Sequence, residues 1–141
     1  MEYAKITGEH HSELDFKTRT NVCSFIPELE AMLNAFGPDL GRTHFIKLGK
    51  GGFFPPHRDN GLMVQVPTYR ILVPITGFGI NDSKFMLNEQ IGYLTPGATY
   101  FVNTTLIHSL FSFVENCTIL VVNVAATDDS INKLVKYVNT V

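Results

Sequence analysis

Between residues 43 and 124 the sequence is a succession of short apolar, β-branched and aromatic runs, and this constrains the fold more than any other feature. The runs cover residues 43–48, 53–59, 69–75, 84–88, 91–94, 99–102, 108–113 and 118–124. Turn-forming residues separate them: the glycines from Gly49 to Gly52, the stretch from Gly77 to Ser83, Pro96-Gly97 and Glu115-Asn116. Short strands at such spacing predict an antiparallel barrel or sandwich. Ile71 to Val73 and Ile119 to Val122 are apolar on consecutive residues, as strands covered on both faces must be.

Two amphipathic segments supply the cover. Phe25, Leu29, Met32, Leu33 and Phe36 recur at helical spacing, with Ser24 placed as N-cap, Pro27 in the first turn and Gly37-Pro38 as the stop. Ile131, Leu134, Val135 and Val138 repeat the pattern behind Asp128-Asp129, an acidic pair suited to a helix N-terminus. The expected layout is a helix over about 25–36, a β-core over about 43–124 and a C-terminal helix over about 128–139. That is one mainly β domain, a jelly roll with flanking helices, and 141 residues suffice for one such core but not for two.

An apolar share of 45% and a charged share of 17% belong to a folded chain. A net charge of −2 gives no electrostatic reason to expect nucleic acid or an anionic membrane as partner. Cys23 and Cys117 stand far apart with no Cys-x-x-Cys spacing, which removes zinc-ribbon and thioredoxin-type readings. With no basic-then-apolar leader after Met1 and no apolar run near 18 residues, a cytoplasmic chain with reduced cysteines is expected.

Chemistry concentrates in Gly49-Lys50-Gly51-Gly52-Phe53-Phe54-Pro55-Pro56-His57-Arg58-Asp59. His57 and Asp59 lie two apart, so on an extended strand both side chains leave the same face, with Arg58 on the other. An imidazole and a carboxylate together are two thirds of the 2-His-1-carboxylate set that holds non-haem Fe(II), and His108 is placed to be the third ligand. His10 and His11, adjacent and in a polar segment, are read as surface histidines. Phe53, Phe54, Phe111 and Phe113 are assigned to the core, and Asn103 and Asn123 to local backbone contacts.

The glycine-rich run ending in Pro-His-x-Asp resembles the metal-binding segment of the Fe(II)/2-oxoglutarate-dependent oxygenases, prolyl hydroxylases among them. Gly92-Tyr93-Leu94-Thr95-Pro96-Gly97, leading through Phe101-Val102-Asn103-Thr104-Thr105-Leu106-Ile107 to His108, resembles the second metal segment of their aspartyl/asparaginyl β-hydroxylase branch. That branch typically lacks a carboxylate where Asp59 stands, so the presence of Asp59 favours a full triad. The resemblance implies a double-stranded β-helix with His57, Asp59 and His108 as metal ligands and catalytic residues. It also implies Fe(II) and 2-oxoglutarate as cofactors, O₂ as co-reactant, and hydroxylation of a small molecule or a protein side chain.

One departure concerns the cosubstrate. Many relatives carry Arg or Lys about ten residues after the distal histidine, where this sequence has Thr118, and no Arg or Lys follows His108 before Lys133. Arg70, in the otherwise apolar run Tyr69-Arg70-Ile71-Leu72-Val73, is the substitute clamp for the cosubstrate carboxylate, with Tyr69 and Thr118 as further cofactor-binding residues. The alternative for Arg70 is solvent or an internal acidic partner, since an unpaired buried charge is costly. Two other readings stay open: a cupin-like metal enzyme that does not use 2-oxoglutarate, and a non-catalytic jelly-roll binding module. Neither the substrate nor the oligomeric state is readable from these residues.

Overall fold

The structure is a computed structural model that describes residues 8, 12, 14–59 and 67–138, the side chains of 137 and 138 apart. His10 and His11 lie outside the described residues. Among the described residues eight strands follow one another: β1 (Leu40–Leu48), β2 (Phe53–His57), β3 (Thr68–Thr76), β4 (Ser83–Leu87), β5 (Gln90–Gly92), β6 (Tyr100–Val102), β7 (His108–Ser112) and β8 (Cys117–Ala125). They form two four-stranded sheets, β1-β8-β3-β6 and β2-β7-β4-β5, in which the pairings are antiparallel. Helix α1 (Pro27–Phe36) precedes them and α2 (Asp128–Val138) follows. This is the mainly β, double-stranded jelly roll with flanking helices that the strand spacing predicts.

Strand alternation explains the apolar runs. Along β8, Cys117, Ile119 and Val121 pack between the sheets with Leu72, Phe85 and Leu110. Leu120, Val122 and Val124 point the other way and meet Leu29, Leu33 and Phe36 of α1. Val122 and Val124 are 0% exposed, and burying such a side chain contributes about 1.5–3 kcal/mol. β8 is therefore the shared wall of two cores.

Helix α1 starts later than its periodicity suggests. Pro27 takes the first helical position, where its missing N–H costs nothing, and the preceding residue is Ile26 rather than Ser24. Ser24 instead belongs to a 3₁₀ turn over Asn21–Phe25, and its hydroxyl donates to the Asn21 carbonyl at 2.6 Å. Phe25 consequently falls off the buried stripe and is 77% exposed. At α2 the expected acidic first turn is present, and Thr127 and Ser130 cap it reciprocally, each hydroxyl accepting the other's backbone N–H.

The phenylalanine group is not core. Phe53 and Phe113 are 56% and 52% exposed, and Phe53 stacks on Phe111 with ring centroids 5.7 Å apart. Phe53 and Phe111 lie on the outward side of the second sheet, whereas Phe54, opposite the inward Leu110, turns to its inner side; α1 packs against the first sheet.

Candidate metal centre

The interior between the sheets is apolar at one end and polar at the other. Of the inward residues of β3, Leu72 joins the apolar core and Arg70 sits at the polar end. Arg70 is the register partner of Asn123 on β8 and of Val102 on β6. On the second sheet, the last residue of β2 faces the first of β7, so His57 and His108 are direct cross-strand neighbours. Their rings stand 4.3 Å apart between centroids. β2 is an edge strand, which is why Pro55-Pro56 can precede His57 without breaking a ladder. Hydrogen bonds in both directions between the glycine loop and Ser112 fix the approach: Gly51 N–H to the Ser112 carbonyl, and Ser112 N–H to that of Gly52.

Asp59 lies just past the end of β2, its backbone N–H donating to the Thr104 carbonyl at 2.9 Å. Its Oδ1 is 3.7 Å from His57 Nε2, and its Oδ2 is 4.0 Å from His108 Nε2. The three residues offer ligand atoms that all lie within 4.8 Å of one another. In each histidine Nδ1 faces a backbone carbonyl, Pro55 at 2.7 Å and Leu106 at 3.0 Å. With the Nδ1–H donating there, each ring presents Nε2 as a bare lone pair, the arrangement that outer contacts impose on metal-ligating histidines. Burial lowers the pKa of His108; the Leu106 carbonyl and Asp59 oppose that shift, and His57 and Arg70 add to it. A neutral imidazole is the form that binds a metal.

Arg70 holds the carboxylate from the far side. Its Nη2 is 2.9 Å from Asp59 Oδ2, and its Nε donates to Asn123 Oδ1 at 2.9 Å. Asn123, 1% exposed, passes the tie on by donating to the Arg42 carbonyl at 2.8 Å. Despite the short separation, Asp59 Oδ2 is shielded from solvent without a well-directed hydrogen bond. A buried carboxylate oxygen in that condition, beside two imidazole lone pairs, fits a divalent cation. Ligands about 2.1 Å from an ion stand roughly 3 Å apart, so rotamer-scale closure completes the set.

The sequence-predicted residues divide. His57, Asp59, His108 and Arg70 come together. Tyr69, neighbouring Arg70, leaves the opposite face of β3, packs under α1 and donates its hydroxyl to the Ser130 carbonyl at 3.3 Å. Thr118 lies at the other end of β8, opposite Lys47 and Thr76, and donates to Asn116 Oδ1. Neither reaches the centre. Arg58 is exposed, as the alternation requires. Asn103 accepts from the backbone and hydroxyl of Thr105, a local role.

A cavity of about 300 Å³ opens beside the triad, lined by Phe54, Leu72, Phe85, Leu110, Ile119 and Val121 together with Arg42, His44 and Arg70. His44 is the residue the sequence reading passed over. Its position in β1, two before the inward Ile46, was the available signal.

No family model matches the sequence, and none of the curated proteins is detectably similar to it. Solved structures do match the fold. The Cnp3 cupin domain of Schizosaccharomyces pombe superimposes with a TM-score of 0.50 at 9% identity, over 69% of this chain and 64% of that one. The fold is that of a cupin. A predicted oxalate decarboxylase from Thermotoga maritima gives a TM-score of 0.49 at 20% identity, over 68% and 72% of the two chains. KdgF from Halomonas gives 0.48 at 17% identity, over 66% and 74%. At these identities the cupin likeness concerns backbone architecture, and the chemistry has to be argued from the residues. Among the described residues no helix is long and apolar enough to cross a membrane.

Proposed function

We propose that the chain is an Fe(II)- and 2-oxoglutarate-dependent dioxygenase, with His57 Nε2, His108 Nε2 and the Asp59 carboxylate as the metal ligands. The observation that carries this reading is the convergence of two histidines and one carboxylate on the mouth of a mostly apolar cavity. When bound, the metal and cosubstrate supply O₂ chemistry: one oxygen atom enters a substrate C–H bond, the other enters succinate as 2-oxoglutarate loses CO₂.

The chain's own residues position and shield. The Pro55 and Leu106 carbonyls fix both imidazole tautomers. Arg70 orients Asp59, and its remaining N–H groups are the clamp for the cosubstrate carboxylate. Phe54, Leu72 and Phe85 exclude water from the cavity, which strengthens every charge interaction inside it. A cavity of about 300 Å³ is at the small end for ligand sites, in keeping with a small molecule or a single projecting side chain as substrate.

Anaerobic titration with Fe(II) and 2-oxoglutarate tests this. A weak visible charge-transfer band in the wild type, lost or needing far more 2-oxoglutarate in Arg70→Ala, is the expected result. Iron binding without a band would favour a second reading, a cupin metal enzyme that does not use 2-oxoglutarate. The specific observation on that side is that Asp59 and Asn123 already occupy the Arg70 guanidinium. No iron binding at all would leave a binding module.

A further inference from the structure

Strand register sorts the lining of the cavity into tiers. The first, at the mouth, holds His57 and His108 from the second sheet and Arg70 from the first. Two residues further along β3, β7 and β8, roughly 7 Å deeper, stand Leu72, Leu110 and Val121. Phe54 and Phe85 flank Leu110 at the same depth. Another step on, the register pair Ile46 and Ile119 forms the floor. Beneath the metal ligands the walls are therefore hydrocarbon on both sheets.

Charge is confined to the mouth and compensated there. Asp59 and Arg70 face each other at 2.9 Å. The Arg42 guanidinium rests 5.9 Å from the centre of the Phe16 ring, and that ring is not part of this cavity. His44 is the second-tier residue of β1, opposite Val121. Burial, with Arg42 and Arg70 adding to it, lowers its pKa to about 4, so at neutral pH it carries no charge. An ion driven into the second tier would leave water and meet no opposite charge.

We infer that the substrate enters this site with an uncharged hydrocarbon group, an alkyl chain or a phenyl ring, seated between the sheets in the tier beneath the metal. Any polar or charged remainder stays at the mouth beside Arg70. The cavity of about 300 Å³ is twice the size of an apolar cavity of about 150 Å³ that holds benzene, so a group of about six carbons fits with room left at the metal. The inference rests on the reading that the triad holds a metal, and it is the same whether or not the metal uses 2-oxoglutarate.

The test titrates the full chain, loaded with Zn(II), with 1-propanol, 1-butanol, 1-pentanol and 1-hexanol, followed in ¹H–¹³C methyl spectra. The methyl signals of Leu72, Leu110, Ile119 and Val121 should move. Each added methylene should tighten binding about fourfold until the floor is reached. With Mn(II) in place of Zn(II), the protons of bound 1-hexanol should relax faster, which puts them beside the triad. Val121→Leu should favour a shorter alcohol and Ile119→Ala a longer one, whereas general damage to the core would not move the optimum in opposite directions. Against the metal-free chain, where neither ion can ligate a metal, hexanoate and hexylammonium should bind at least tenfold more weakly than 1-hexanol.

Affinity that is flat with chain length overturns the inference, as does a charged probe that matches 1-hexanol. Unchanged relaxation with Mn(II) places the alcohol elsewhere and also overturns it. A missing iron–2-oxoglutarate band with the chain-length dependence intact defeats the proposed reaction alone. A band together with a flat alcohol series defeats the hydrocarbon pocket alone.

Discussion

Replacing Asp59 by Asn removes the anionic ligand while keeping the side-chain shape, which makes it the sharpest perturbation of the candidate centre. In the wild type a divalent ion held at 100 times its Kd stabilises the folded chain by about 2.7 kcal/mol. For a chain of 141 residues each kcal/mol raises the midpoint by about 3–5 °C, so the shift should be about 8–13 °C. Loss of an outer-shell contact typically weakens metal binding 10–100-fold, and loss of a ligand must reach at least the upper end. At the same metal concentration Asp59→Asn then retains about 0.4 kcal/mol, a shift of about 1–2 °C.

The variant also acts without metal. Arg70 and Asp59 are 20% and 26% exposed and 2.9 Å apart, so Arg70 loses a largely buried partner. Metal-free Asp59→Asn should be less stable by about 1–2 kcal/mol. The assay is thermal unfolding with EDTA, Zn(II) or Mn(II), with EDTA reversal of the metal-induced shift. Equal metal shifts in wild type and variant would refute the triad, as would a wild type that neither ion stabilises.

Three further outcomes follow from particular contacts. The pKa of His44 falls from 6.5 to about 4 on folding, so the unfolded chain takes up a proton that the folded chain refuses. The metal-free protein should lose about 1–2 kcal/mol from this group as pH falls from 6.5 to about 4, after allowance for its partial exposure, and urea titrations should show a flatter profile in His44→Leu. Asn123→Leu removes the bond from Arg70 Nε and the bond to the Arg42 carbonyl, and should cost about 2–3 kcal/mol by chemical denaturation. Gly77→Ala must place a methyl group at φ +74°, 2.5 Å from the Asn116 carbonyl oxygen and 2.7 Å from the Cys117 Cα. Gly97→Ala, at φ +81° with nothing within 4 Å, should cost about 1–2 kcal/mol, and Gly77→Ala clearly more in the same assay.

Much of this was legible in the chain, for reasons that differ by residue. The strands and both helices follow from period, because β8 must be apolar on both faces to serve two cores. His57 and Asp59 were readable from their spacing, and His108 from its place after a turn and a strand. The helix start was not, since Ser24 and Pro27 both signal a beginning and only the Asn21–Phe25 turn decides between them. The exposed Phe53 and Phe113 were misjudged because a sequence does not say which sheet its helices cover. Tyr69 and Arg70 had to point apart, yet nothing in the sequence told which of them pointed inward. His44 was hidden for the same reason: alternation places it with Ile46, but the polar end of the interior exists only once β1 stands beside β8.

Asp59 belongs to the candidate metal site and also pairs with Arg70, the proposed clamp for the cosubstrate carboxylate, and this imposes a relation between metal and anion binding. One carboxylate cannot fully neutralise both a divalent ion and the Arg70 guanidinium 2.9 Å away. Metal binding draws on its charge and leaves Arg70 less compensated, so the cavity gains affinity for an anion. By linkage the anion must raise metal affinity by the same factor, expected at about tenfold for a coupling of about 1.4 kcal/mol. Succinate titrations with and without Zn(II), and Zn(II) titrations with and without saturating succinate, should therefore give equal ratios. Direct ligation of the metal by succinate would also couple the two, but that coupling survives in Arg70→Ala, whereas coupling relayed through Asp59 does not. Undiminished coupling in Arg70→Ala would show that Asp59 does not connect the sites.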